Sequence, residues 1–106
     1  EYNGSFPGIL KTFLDSMHPR EWANKDACLV GIADGRAGNL RGMEHLTGIL
    51  NYLNVLVMPN KLPVSVIEKN ISENGTIEKT TSLVLSSFLE EMIVFYRNQK
   101  QEKVNF

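Results

Sequence analysis

The chain has 106 residues, of which 42% are hydrophobic and 22% are charged, and its formal net charge at pH 7 is -1. This length suits one small domain, and the composition is that of a globular protein rather than a disordered one. The near-neutral charge argues against general nucleic-acid binding, which requires a concentrated basic surface. The apolar runs are too short to cross a bilayer and no secretion signal is visible, so the sequence predicts a cytoplasmic protein without a membrane partner.

The first half of the chain predicts a helix, a strand and a glycine-rich loop. Apolar residues recur at the i, i+3, i+4 spacing of a helix over residues 6–17, with Ser5 as the N-cap and Pro7 in the first turn. A nearly continuous apolar run at residues 27–33 is typical of a strand covered on both faces. Residues 34–39 follow it directly as a glycine-rich loop.

The second half repeats this alternation. Residues 40–54 carry a helical apolar stripe, and residues 55–58 predict a second strand. Residues 59–75 are mainly loop, with a short strand at residues 64–67, and Thr76 can cap the last helix. Strands that alternate with helices imply right-handed crossovers and a parallel sheet, so the fold class is α/β.

Two short segments are expected beyond the C-terminal ends of the strands, where ligands bind in open α/β sheets. They are residues 1–5 and residues 34–39, and both are rich in small residues. Glycines let the backbone approach a flat ring and donate hydrogen bonds to its carbonyls and ring nitrogens. Taken alone, the pair Gly35 and Gly38 is more typical of a strand-to-helix turn, because it matches neither a Walker loop nor a full dinucleotide fingerprint.

Ordered motifs along nearly the whole chain resemble one family. Residues 1–11, which begin Glu-Tyr-Asn-Gly-Ser, are similar to the Pro-Glu-Tyr-Asn loop and following helix of NADPH-dependent FMN reductases, which include quinone, chromate and azo reductases. Residues 35–41 resemble that family's Gly-x-x-Gly-Gly-x-Arg loop, with Asn39 where the family usually has glycine. Further matches follow in the family's order at Trp22, Asn24, Lys25, His45 and Leu46.

The resemblance implies a partial flavodoxin-like, doubly wound parallel sheet in which residues 1–106 are the last two strands and three helices. It implies an FMN-dependent oxidoreductase that passes electrons from NAD(P)H to a small acceptor such as a quinone, a flavin or an azo compound. The flavin carries this chemistry, so neither a catalytic side chain nor a metal site is expected. The candidate cofactor-binding residues are Glu1, Tyr2, Asn3, Gly35, Arg36, Gly38 and Asn39.

The resemblance also implies an N-terminal part that this sequence lacks, including the Ser/Thr/Arg-rich loop that holds the FMN phosphate. The inner edge of the strand at residues 27–33 would then be unpaired, and such an edge invites pairing with another chain. The chain is therefore expected to be inactive alone and to fold as a homo-oligomer or with the rest of the protein supplied. Two alternatives stay open, a non-catalytic α/β interaction module and a flavodoxin-like electron carrier. The loop at residues 1–3 favours a reductase over a carrier, whereas the missing phosphate loop favours the module for this chain by itself.

Overall fold

The order of helices and strands is that of an α/β protein, as predicted. A computed structural model describes residues 1–105, with side chains as far as residue 101. The helices are α1 (Gly8–Asp15), α2 (Leu40–Tyr52), α3 (Ile67–Asn70) and α4 (Lys79–Asn105), and a 3₁₀ turn spans Pro19–Glu21. The strands are β1 (Asp26–Ala27), β2 (Val30–Ile32), β3 (Leu56–Val57) and β4 (Leu62–Val64).

The four short strands follow one another as a single two-stranded parallel ribbon. β1 pairs with β3 and β2 pairs with β4, both in parallel. Ala27 pairs with Val57 and Val30 pairs with Leu62, so a separation of three positions in one strand lies opposite a separation of five in the other. The extra residues bulge out of the second strand and interrupt the ladder. Met58 nevertheless donates its N–H to the carbonyl of Ala27 at 2.8 Å, so the two halves of the ribbon remain joined.

The bulge explains why two predicted strands need correction. The strand predicted at residues 27–33 is divided into β1 and β2, and the strand predicted at 55–58 is limited to β3. The short strand predicted at 64–67 is instead the end of β4 followed by α3. Pro63 argues against a strand at this position in the sequence. It lies opposite Gly31 in β4, which has a strand partner on one side only among the described residues. A missing N–H is tolerated on such an edge strand.

Helices cover both faces of the ribbon. α1 and α2 share one face around a core of Leu14, Leu29, Met43, Leu50, Val55 and Val57. Cys28 alternates with these strand residues and reaches the other face, where α4 packs against β4 and buries Phe88. This layering of helix, sheet and helix is a partial flavodoxin-like fold, in agreement with the fold class predicted from the sequence.

Much apolar surface remains uncovered. The accessible area is 7664 Å², whereas a compact monomer of this size would expose about 5,900 Å². Val30 and Ile32 on β2 are nearly half exposed, and Leu83 and Val94 on α4 are more than half exposed. Within residues 1–105, β2 has a strand partner on one side only, although its Ile32 carbonyl accepts a hydrogen bond from the Glu1 backbone nitrogen. No helix in this part of the chain is long and apolar enough to span a membrane.

Two predicted helix caps are wrong. α1 begins at Gly8 with Pro7 as its N-cap, and the Ser5 hydroxyl bonds to His45 instead. α4 begins at Lys79, and the cap that Thr76 was expected to provide comes from the Glu78 carboxylate, which accepts the Thr81 N–H at 2.8 Å. In both cases the residues between the expected cap and the helix are not helical, since Phe6 lies in a bend and Ile77 forms a β-bridge with Ile71.

Candidate functional site

Three loops meet at the carboxyl edge of the ribbon. The glycine-rich loop at residues 34–39 follows β2, and the loop at residues 65–66 follows β4. The Val66 N–H donates to the Gly35 carbonyl at 2.8 Å, which ties these two loops together. The Glu1 backbone nitrogen, at the start of the opening segment, donates to the carbonyl of Ile32 at the end of β2. The edge is therefore where an open α/β sheet binds ligands.

The loop after β4 is a part of this edge that the sequence did not predict. Val66 has φ 45° and ψ 60°, a left-handed conformation that is a genuine outlier for a β-branched residue. Ile67 follows it and donates its N–H to the Ala33 carbonyl at 3.0 Å. Such strain persists where the surrounding structure enforces it, and it is frequent at ligand sites. No turn signal in the sequence marks this position, because left-handed turn positions favour glycine, asparagine or aspartate and not valine.

The opening segment forms a tight turn. Tyr2 and Ser5 exchange backbone hydrogen bonds of 2.8 and 3.2 Å. Asn3 and Gly4 between them have φ values of 50° and 79°, the positive pair that a type I′ turn requires. Asn-Gly is the strongest sequence signal for this turn, so the turn could have been predicted. It leaves Glu1, Tyr2 and Asn3 exposed, and the Tyr2 side chain is 69% accessible.

The first half of the glycine-rich loop is open. Residues 34–37 are exposed, and a Cβ added to Gly35 would meet no atom within 4 Å. Within the described chain, no backbone hydrogen bond uses the N–H groups of residues 34–39 as donors. The Arg36 side chain projects from the same exposed stretch. This half presents bare backbone donors and a cation to the solvent.

The second half of the same loop is packed. Gly38 has φ +57°, and a Cβ there would lie 2.5 Å from the Pro63 Cβ. Asn39 is only 7% exposed, and its Oδ1 atom has no hydrogen-bond partner within the described residues. A Cβ on Gly42 would lie 2.1 Å from that oxygen. Gly38 and Asn39 are therefore enclosed by protein, unlike Gly35 and Arg36.

α2 holds the opening turn from one side. The Nδ1 atom of His45 lies 2.8 Å from the Ser5 hydroxyl. One turn earlier on α2, an Arg41 guanidinium nitrogen would be 3.1 Å from a Cβ placed on Gly4. His45 was identified from the sequence only as a match to the family's pattern, and its long-range contact with Ser5 could not be read from its position in the sequence.

The only cysteine of the sequence lies away from these loops. Burial raises the pKa of the Cys28 thiol, and the carboxylates of Asp26 and Glu91 raise it further. Its thiol is therefore held in the protonated form, which is a poor nucleophile. No group of three or more His, Cys, Asp or Glu residues that could hold a metal ion is found among the residues that the structure describes.

The chain resembles known proteins across these same elements. The family model for NADPH-dependent FMN reductase matches residues 1–69, which include the opening turn, the glycine-rich loop and the β4–α3 loop. The chain belongs to this reductase family. It is also similar to a 2-hydroxy-1,4-benzoquinone reductase from a Burkholderia species, with 29% identity over an alignment that covers 94% of this chain and 58% of the relative.

Membership of the FMN reductase family confirms the resemblance that the motifs predicted. The chain spans somewhat more than half the length of the curated relative. Of the seven predicted cofactor-binding residues, the structure leaves Glu1, Tyr2, Asn3, Gly35 and Arg36 exposed in two neighbouring loops, and it buries Gly38 and Asn39.

Proposed function

We propose that this chain forms the flavin-ring side of an FMN-dependent oxidoreductase that passes electrons from NAD(P)H to a small acceptor. The observation that carries the proposal is the row of exposed, unused backbone N–H groups at residues 34–37, next to the exposed turn of residues 2–5. The FMN ring carries carbonyl oxygens and ring nitrogens that accept such bonds. Membership of the FMN reductase family supports the same cofactor and the same electron donor.

The residues present fit a flat ring. Gly35 leaves open space above the loop, because no atom lies within 4 Å of its added Cβ. Ile32 and Ile67 border a hollow of about 120 Å³ between the loops, together with Glu1 and Asp34. The proposed ring contacts are Glu1, Tyr2, Asn3, Gly35 and Arg36. Gly38 and Asn39 belong to the same site in a supporting role, since they set the path of the loop.

The protein's own part in the reaction is orientation and electrostatics. Bound FMN would supply hydride acceptance and onward electron transfer. The N–H groups of residues 34–36 would fix the ring and stabilise negative charge on it, as preorganised donors do. The Arg36 guanidinium can pair with an anionic acceptor or with a phosphate of NAD(P)H. No side-chain acid or nucleophile is needed for these steps.

The acceptor that we propose is a quinone, because the curated relative is named for a hydroxylated benzoquinone. Flavins and azo compounds share the flat, electron-poor character that would suit the same open loop. A cytoplasmic location suits NAD(P)H as donor and a lone cysteine with no disulfide partner.

The contacts proposed for these loops are with the FMN ring and not with the FMN phosphate. We propose that it is held by a region that the longer relative contains and this chain does not, so that this chain alone is inactive. The proposal agrees with the uncovered apolar surface and the one-sided pairing of β2. A homo-oligomer would cover part of the same surface.

An absorbance titration with FMN tests the proposal in the protein that carries this chain. The Gly35→Val variant should lose most of its FMN affinity, because the side chain would occupy the open space above the loop. Gly48→Val is the matched control, since Gly48 on α2 also has no atom within 4 Å of an added Cβ but lies outside the three loops. If neither the wild type nor the variants bind FMN when the full-length protein is used, the reductase proposal is wrong.

The second candidate is a non-catalytic interaction module, and the exposed apolar side chains of β2 and α4 favour it. This candidate predicts association without a flavin band. Size-exclusion chromatography with light scattering on this chain should show a dimer or larger species, and a stable folded monomer would contradict both the module and the homo-oligomer. An electron carrier would instead reduce a protein acceptor and leave quinones unreduced.

A further inference from the structure

The opening turn has few anchors for a segment that carries three proposed ring contacts. Its internal bonds join only Tyr2 and Ser5. The Glu1 backbone nitrogen bonds to the Ile32 carbonyl next to the turn. The side-chain hydrogen bond that fixes the turn to the rest of the described chain joins Ser5 and His45, which are 40 positions apart in the sequence. The exposure of Tyr2 and Asn3 shows that packing contributes little to holding the turn in place.

His45 lies on the helix that carries the other flavin-facing loop. α2 begins directly after residue 39, and His45 is in its second turn. A helix is stiff over such a distance, so a bond from Ser5 to His45 fixes the turn relative to the glycine-rich loop as well. The Arg41 guanidinium and the Phe6 backbone N–H lie close to the same helix face, where added Cβ atoms on Gly4 and Gly42 would approach them within 3.1 and 2.8 Å.

We propose that His45 is a positioning residue that holds the turn of residues 2–5 in register with residues 34–36, so that the two loops form one ring-binding surface. This inference rests on the proposed function, because it assigns the purpose of the bond to flavin binding. The imidazole suits this role because its Nδ1 atom is close to the helix backbone and its side chain has only two rotatable bonds. Little conformational freedom is therefore lost when it binds Ser5.

A double-mutant cycle on FMN affinity tests the proposal in the full-length protein. Ser5→Ala and His45→Ala should each weaken FMN binding by about threefold to tenfold, the range for loss of one hydrogen bond. The double variant should be no weaker than either single variant, because both remove the same bond. His45→Asn should recover most of the affinity, since its Nδ2 can occupy the place of Nδ1. Asn51→Ala, at an exposed position later on α2, is the control and should bind FMN as the wild type does.

The melting temperature separates positioning from a general structural role. The bond is exposed and tethers a surface turn, so the variants should melt within about 2 °C of the wild type while their FMN affinity falls. A fall in melting temperature with unchanged FMN affinity would overturn the proposal. Additive losses of affinity in the double variant would overturn it as well.

Amide hydrogen exchange provides a test without flavin. The Tyr2 and Ser5 N–H groups should exchange at least about threefold faster in His45→Ala than in the wild type, because the turn opens more often. Unchanged exchange means that His45 does not hold the turn, and the inference then fails even if FMN binds. If the wild type binds no FMN but exchange rises in the variant, the tether stands and the reductase proposal is what fails.

Discussion

The two halves of the glycine-rich loop lie in opposite environments. At one end, Gly35 faces open solvent and could carry a side chain without touching any atom within 4 Å. At the other end, Gly38 is pressed against Pro63 in a left-handed conformation, and Asn39 is buried over Gly42. The two glycines, three positions apart, therefore serve different purposes: Gly35 leaves space open, and Gly38 allows close packing in a left-handed conformation.

The difference separates what builds the site from what can meet a ligand. The packed end anchors the loop between β4 and α2, so its glycine is needed for folding. The open end keeps its backbone donors accessible because nothing has been packed over it. A motif match by itself does not distinguish these roles.

The largest effect is expected for Gly38→Ala. The new Cβ would lie 2.5 Å from the Pro63 Cβ and 2.9 Å from its backbone, and the left-handed φ adds strain. Together these should lower the free energy of unfolding by about 2–4 kcal/mol. Gly35→Ala in the same loop should change it by less than about 0.5 kcal/mol. Urea denaturation measures both, and equal losses in the two variants would remove the distinction between the packed and open ends.

A smaller effect is expected within the first turn of α2. A Cβ on Gly42 would lie 2.1 Å from the Asn39 Oδ1 and 2.8 Å from the Phe6 backbone nitrogen. Gly42→Ala should therefore destabilise the protein by about 1–3 kcal/mol. Gly48→Ala, on the same helix but in open space, should instead stabilise it by about 0.5–1 kcal/mol through helix propensity. Opposite signs in chemical denaturation are the expected result, and destabilisation by both would mean that the packed region extends further along α2.

The buried Asn39 side chain allows a compensating pair. Asn39→Gly removes the oxygen that has no hydrogen-bond partner among the described residues, and it makes room for a methyl group on residue 42. In the Asn39→Gly background, Gly42→Ala should therefore cost at least about 1 kcal/mol less than in the wild type. A full double-mutant cycle measures this coupling, and strictly additive changes would show that Phe6, rather than Asn39, limits the space.

The smallest effect is expected on the pH dependence of stability, and it concerns the N-termini of α2 and α4. α2 begins inside the packed region without a side-chain cap, whereas α4 begins in solvent with the Glu78 carboxylate as its cap. Hydrogen bonds from the Thr80 and Thr81 backbone lower the Glu78 pKa. A lowered pKa means that the carboxylate stabilises the folded state above its usual titration range and that this stabilisation is lost as the pH falls through the lowered value.

Removing the titrating group tests this contrast. Glu78→Gln should flatten the fall in the free energy of unfolding that occurs as the pH drops below the normal titration range of a glutamate. At neutral pH the variant should be slightly less stable than the wild type. Denaturation midpoints measured from neutral to acid pH give the profile. Glu90→Gln, an exposed position in the middle of α4, is the control and should keep the acid slope of the wild type. If both variants keep that slope, the cap at α4 is not what titrates.

Sequence reasoning predicted the order of the main helices and strands because apolar periodicity reports burial directly. It failed where partners far along the chain decide the outcome. The strand at residues 27–33 is divided because a bulge forms in the strand opposite, and β4 was obscured by Pro63, whose missing N–H matters only if another strand lies on that side. Asn3 and Gly4, by contrast, form the turn that their residue types favour, since that preference is local.

The amino-acid sequence by itself determined the fold class, the family and the two glycine-containing loops, because these depend on residue types at fixed spacing. Only the tertiary structure decided which glycine is open, that Val66 is strained beside Gly35, and that His45 reaches Ser5. Each of these depends on backbone segments tens of residues apart meeting at one edge of a parallel sheet. The distance between such segments is set by packing, and no local pattern of residues encodes it.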